Sequence, residues 1–158
     1  MRKDFLSIFK NAMIYFLIFI ISLSSFAFVS NDVLIVQAET TLYDFVDQAP
    51  YATWSSGAGV LQFPGSPDDS RGFARYVNNA VLEDGTTWNK VLETHPQWIS
   101  NGWIMGKYPS QTVPQNALLK VRIGFLKGAN ATDGATFEVY FEVSQKRYLI
   151  ISYKAKYD

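Results

Sequence analysis

The sequence predicts an all-β protein, an antiparallel β-sandwich of jelly-roll-like kind preceded by a helical signal peptide. Three observations lead there. Apolar and polar residues alternate strictly in the C-terminal third. Turn signals built from Gly, Asn, Asp and Pro recur about every 8 to 12 residues through the second half. Past the N-terminal apolar run, no stretch carries the 3.6-residue period of an amphipathic helix.

Arg2, Lys3 and Lys10 form a positive region ahead of the apolar run Ala12 to Val29, and Val36-Gln37-Ala38 supplies the small residues that a signal peptidase reads. Residues 1–38 therefore read as a signal peptide cleaved after Ala38. The competing reading is an uncleaved membrane anchor, because the run reaches about the 18 residues at which a spanning helix becomes feasible. Positive charge ahead of the run puts the remainder outside in either case, secreted or on the extracellular face of the envelope. Residues 39–158 are then one module with one core.

Of the 14 Lys+Arg and 14 Asp+Glu in the chain, the first 38 residues take Arg2, Lys3, Lys10, Asp4 and Asp32, which leaves 11 basic against 12 acidic. That balance gives no field to recruit nucleic acid or an anionic bilayer. Cysteine is absent, which excludes disulfides and thiolate metal sites even in an exported protein.

Along the module, Gly72 to Val77 and Ala80 to Glu83 are short strand candidates. Asp84-Gly85 signals a hairpin into Thr86 to Glu93. Asn101-Gly102 signals another, which would set Trp98 and Trp103 on paired strands. Ser55 to Asp69 and Pro109 to Asn116, rich in Gly, Pro, Ser and Asn, read as loops. Leu119 to Phe125, Phe137 to Val143 and Arg147 to Tyr153 read as three strands of a meander. The chain stops directly after the third, at Lys154-Ala155-Lys156-Tyr157-Asp158, which suggests a module lacking its last strand or strands.

Groups able to carry catalysis are few. His95 is the sole histidine, and no Gly-x-Ser-x-Gly elbow or His-Glu-x-x-His pair occurs. A glycan-active hydrolase would need two convergent carboxylates from a set such as Glu83, Glu93, Glu138 and Glu142, and two of these fall on the polar face of a strand. The expectation is a protein without catalytic residues.

Aromatic residues say more. Trp54, Trp88, Trp98 and Trp103 all lie in the module. A flat indole beside polar groups suits the apolar C–H faces and hydroxyl edges of a sugar, while a disulfide-free β-domain also needs bulky core residues, so two of the four are expected in the core. The candidate ligand-binding residues are Trp98, Trp103, Asn101, His95 and Trp54. Asp68 and Asp69, with Asp44 and Asp47 nearer the module's start, supply hard oxygens of the type a structural calcium takes. The Asp-x-Asp-x-Asp-Gly spacing of a dedicated calcium loop is missing.

The runs Tyr51 to Gly59, Phe63-Pro64-Gly65, Asp69 to Phe73, Leu92 to Trp98 and Gly102-Trp103-Ile104, with Gly124 to Gly128, Asp133-Gly134 and Phe137-Glu138-Val139 further on, resemble extracellular bacterial galactose-binding-like jelly rolls appended to glycan-active enzymes. The resemblance implies a non-catalytic carbohydrate-binding or adhesion module whose partner is a polysaccharide or cell-surface glycan. The alternative is a structural or protein-interaction β-domain of the envelope that binds no sugar and buries all four tryptophans.

Overall fold

The computed structural model describes residues 13–16, 20–22 and 40–157. Among them there is no α-helix, only a 3-10 turn at Ala49–Tyr51, and the strands pair antiparallel throughout. In chain order they are β1 (Met13–Phe16), β2 (Ile20–Ser22), β3 (Thr41–Asp44), β4 (Thr53–Ser56), β5 (Gly59–Leu61), β6 (Phe73–Val81), β7 (Thr87–His95), β8 (Ile104–Lys107), β9 (Ser110–Thr112), β10 (Leu118–Lys120), β11 (Ala135–Val143) and β12 (Lys146–Ala155). They form four small sheets, ordered β12-β11-β1-β9, β10-β2-β3, β5-β4-β8 and β6-β7.

The two long hairpins follow from local chemistry. Between β6 and β7, Asp84 Oδ1 accepts from the Thr86 N–H at 2.9 Å and the Thr86 hydroxyl at 2.6 Å, and Gly85 takes φ +78°. Between β11 and β12, Ser144 and Gln145 take φ +48° and +65°, the paired positive values of a two-residue primed turn. Neither residue is Gly or Asn, so here the strands impose the turn on the residues. The alternation of Phe137, Val139 and Phe141 explains the burial of Val139 and Phe141.

Four expectations change. Gly72 to Val77 and Ala80 to Glu83 are in effect one strand, β6, with Asn79 at φ +50° passed over between the pairs Asn78↔Lys90 and Ala80↔Trp88. The meander has two members, because only Leu119 and Lys120 of the first run lie in a strand, β10, and it pairs with β2, outside the β11–β12 sheet. The expected loops hold β5 and β9. In the segment read as a signal helix, the described residues form β1 and β2, which pair with β11, β9, β10 and β3. Cleavage after Ala38 lies outside the described residues.

One apolar cluster joins strands of three sheets: Trp54 and Leu61, Ala74, and Val139 and Phe141, together with Phe45, Ala49 and Tyr108. Its aromatic members meet edge-on, with Phe45–Tyr108 centroids 5.0 Å apart and Trp54–Tyr108 centroids 6.2 Å apart. Tyr108 keeps its hydroxyl satisfied by donating to the Phe45 carbonyl at 2.9 Å, and burial pushes its pKa far up.

Candidate ligand-binding site

The segment Pro96 to Trp103 links the end of β7 to the start of β8, and so bridges two sheets. It is a braced loop, and the hairpin expected at Asn101-Gly102 does not form. Asn101 does take φ +57°, but Gly102 keeps a φ open to other residues. What Gly102 supplies is room: a Cβ there would lie 1.9 Å from the Gln97 carbonyl oxygen. The loop closes through Ile99 N–H to the Gln97 carbonyl at 2.8 Å and Gly102 N–H to the Ile99 carbonyl at 3.0 Å. Trp98 N–H donates to the Ser70 carbonyl at 2.9 Å, which ties the loop to the chain entering β6. Gly72 permits that approach, since a Cβ on it would lie 2.9 Å from the His95 carbonyl.

This frame displays apolar surface. Trp98 is 52 % exposed, Trp103 47 % and Ile99 61 %. His95 stacks on Phe73 at 5.3 Å and meets the Trp98 ring edge-on at 5.7 Å, so Trp98 stands on a short aromatic ladder rooted in the buried Phe73. His95 Nδ1 lies 2.8 Å from the Pro96 carbonyl. A carbonyl only accepts, so Nδ1 is the donor in this contact.

A second cluster sits at the other end of the loop. β4 pairs with β8 in the register Ser56↔Ile104, which brings Gly57 beside Trp103. A methyl on Gly57 would lie 2.6 Å from Gln97 Oε1 and 3.6 Å from Trp103 Nε1. Gln97 Oε1 is buried and accepts no hydrogen bond among the described residues. Such an acceptor costs about 1–3 kcal/mol when left unmet. A shielded acceptor and an indole N–H therefore border one spot over a glycine, beside an apolar ring. Sequence reading missed Gln97 and Gly57, because nothing in the sequence joins positions 40 residues apart in the absence of the β4–β8 register.

Trp98, Trp103, Asn101 and His95 all belong to this loop or its root. Trp54 does not, and its assignment to the site is corrected. It is 2 % exposed in the middle strand of its sheet, and its Nε1 donates to the Ala49 carbonyl at 2.9 Å. Nor are two tryptophans in the core, since Trp88 is 39 % exposed. Trp88 is nevertheless occupied: Arg122 covers its ring at 4.8 Å and its N–H donates to Thr86 Oγ1 at 3.1 Å. Asn101 lies exposed at the loop tip.

Asp69, one of the candidate calcium ligands, gives both carboxylate oxygens to Arg71, at 3.0 and 2.8 Å, and this pairing lowers its pKa. The Asp68 backbone N–H donates to Ser66 Oγ at 3.3 Å, so Ser66 caps that turn. Among the described residues, no group of three His, Cys, Asp or Glu side chains gathers to hold a metal. The carboxylates named for hydrolysis are likewise engaged separately: Glu93 by Arg75 at 2.6 Å, Glu142 by Lys107 at 2.7 Å, Glu138 by Tyr140 at 2.7 Å, and Glu83 by the Phe125 N–H at 3.3 Å. Glu138 and Glu142 are four residues apart on β11, or about 13 Å along a strand, beyond the separation of either glycosidase class.

No protein-family model, no curated protein and no solved structure matches this chain.

Proposed function

We propose that the chain is a non-catalytic carbohydrate-binding module, whose ligand contacts come from Trp98, Trp103, Ile99 and His95 with Gln97 and Asn101 as polar neighbours. The observation that carries this reading is the pairing, on one braced loop, of half-exposed indoles with an unmet buried acceptor. Sugars match such a surface because one face of a pyranose is apolar while its rim carries hydroxyls that both donate and accept. Because hydrogen bonds and the His95 ladder hold the loop, little ordering entropy opposes binding.

The proposal includes export, with the ligand a polysaccharide or cell-surface glycan, and it reads the four sheets as two layers of a β-sandwich closed on the shared core. The galactose-binding-like resemblance contributes by analogy alone. The test is intrinsic tryptophan fluorescence with iodide quenching, titrated against soluble polysaccharides and accompanied by pull-down on insoluble ones. A blue shift with protection from iodide, lost in Trp98→Ala and Trp103→Ala proteins that keep their far-UV spectrum, is the expected result. If no glycan across a broad array changes the fluorescence, and both variants alter only stability, the reading is wrong.

A further inference from the structure

β12 is the outer strand of its sheet among the described residues, and at ten residues it is the longest of the described strands. Its partner β11 satisfies one edge; no described strand covers the other. Tyr148, Leu149, Ile150 and Tyr153 are exposed along it, on both faces, in an uncharged run of aliphatic, aromatic and hydroxyl residues from Tyr148 to Tyr153. A long, apolar, open strand is a template for a further strand. Only one sign of charge flanks it: Lys146 and Arg147 before the run, Lys154 and Lys156 after it, with no acid from position 146 to 157.

That charge selects the occupant. Ile150 is the extra residue of a bulge, because Val139 pairs with Ile151 and Tyr140 with Leu149. In a second copy paired antiparallel about that bulge, the basic ends Lys146-Arg147 and Lys154 would be brought against each other, and like charges across a strand pair are destabilising. Among the described residues, Arg147 lies over the Tyr140 ring at 5.6 Å and has one distant ion partner, Glu142 Oε2 at 3.9 Å, which is already bonded to Lys107. Lys146 and Lys154 make no ion pair among the described residues. We propose that the open edge of β12 binds an extended protein segment with an apolar, β-forming centre and acidic residues at both ends, which adds as a further strand. Main-chain hydrogen bonds supply the attachment, and acids facing Arg147 and Lys154 fix its register. This surface is separate from the Trp98–Trp103 loop and stands whether or not the chain binds glycans.

The test uses the full chain and fluorescein-labelled ten-residue peptides, alternating valine and threonine with two glutamates at each end, or with two lysines instead. Fluorescence anisotropy at low salt is expected to show saturable binding of the glutamate peptide and binding at least about tenfold weaker for the lysine peptide, since two attractive pairs become repulsive. Arg147→Glu with Lys154→Glu reverses the preference, and Ile150→Pro removes binding of both peptides. Far-UV spectra confirm that each variant is folded. Equal binding of the two peptides, a preference unmoved by the charge reversal, or no binding at all overturns the proposal. So does concentration-dependent dimerisation in sedimentation that Ile150→Pro abolishes, because the edge then serves a second copy.

Discussion

Gly106→Ala tests how tightly the core holds Trp54, and with it the division between core and surface tryptophans. A Cβ on Gly106 would lie 2.7 Å from both Cη2 and Cζ3 of Trp54 and 3.0 Å from Cε3. Ordinary carbon contacts begin near 3.4 Å, so the ring or the strand must retreat by roughly 0.7 Å in an interior packed to crystal density. The ring has little freedom to do so. Its N–H is bonded to Ala49, Phe63 stacks on it at 6.1 Å and Tyr108 meets it edge-on. Overpacking of this kind costs about 1–3 kcal/mol. In a domain of this size that lowers the melting temperature by roughly 4 °C per kcal/mol.

The same substitution on a Trp54→Phe background removes the atoms that collide, and its cost is expected to fall below about 0.5 kcal/mol. The coupling between the two sites is then about 1–2 kcal/mol, measured by urea denaturation followed by far-UV circular dichroism of all four proteins. Trp54→Phe should leave the iodide-quenchable fluorescence intact, because that indole is already shielded. Equal cost of Gly106→Ala on both backgrounds would refute the packing argument. Loss of quenchable fluorescence in Trp54→Phe would put Trp54 back on the surface.

Other consequences are independent of that cycle. Gly57→Ala drives Gln97 Oε1 aside, and because the colliding atom ends a flexible side chain, stability should change by no more than about 1 kcal/mol while glycan binding weakens several-fold in the fluorescence titration; unchanged binding would remove Gln97 from the site. Asp69 and Asp84 have pKa values held below the ordinary 3.8, Asp69 chiefly by its hydrogen bond with Arg71 and Asp84 by that with Thr86. A depressed carboxylate contributes stability that is present above its unfolded value and lost as pH falls through its folded one, so Asp69→Asn with Asp84→Asn should flatten the acid limb of a stability–pH curve below about pH 4; an unaltered limb would contradict the sign. A chain starting at Glu39 lacks β1 and β2, so hydrogen exchange should quicken in β9 and β10 relative to the full chain and hold steady in the β6–β7 hairpin; equal protection of β9 and β10 in both chains would show that the N-terminal strands contribute nothing there.

Legibility followed how local the cause was. The β11–β12 hairpin was readable because alternation along Phe137 to Val143 reports directly which side chains face inward. The Asp84-Gly85 turn was readable because its hydrogen bonds all lie between Leu82 and Thr86. Val121 to Phe125 alternates as well, yet it makes no strand, since alternation describes faces and says nothing about whether a neighbouring strand offers its backbone. Asn101-Gly102 carries a hairpin signal, but the Ile99 and Gly102 N–H groups bond back to the Gln97 and Ile99 carbonyls and Trp98 N–H bonds to Ser70, so the residues before it curl into a loop and offer no ladder to Ile104. Lys90 with Asp47, paired across 43 residues, had no local trace at all.

The sequence alone determined that this chain is β-rich and cysteine-free, that its charge is balanced, and that Trp98, Trp103, Asn101 and His95 lie close together along it. These properties belong to composition and to spacing within a few residues. Tertiary structure alone decided that Trp54 is core while Trp98 and Trp103 face solvent, that Gln97 and Gly57 lie beside Trp103, and that β12 ends its sheet among the described strands. Burial and strand partnership depend on which distant segments arrive to cover a residue, and four indoles of identical chemistry differ only in what arrived.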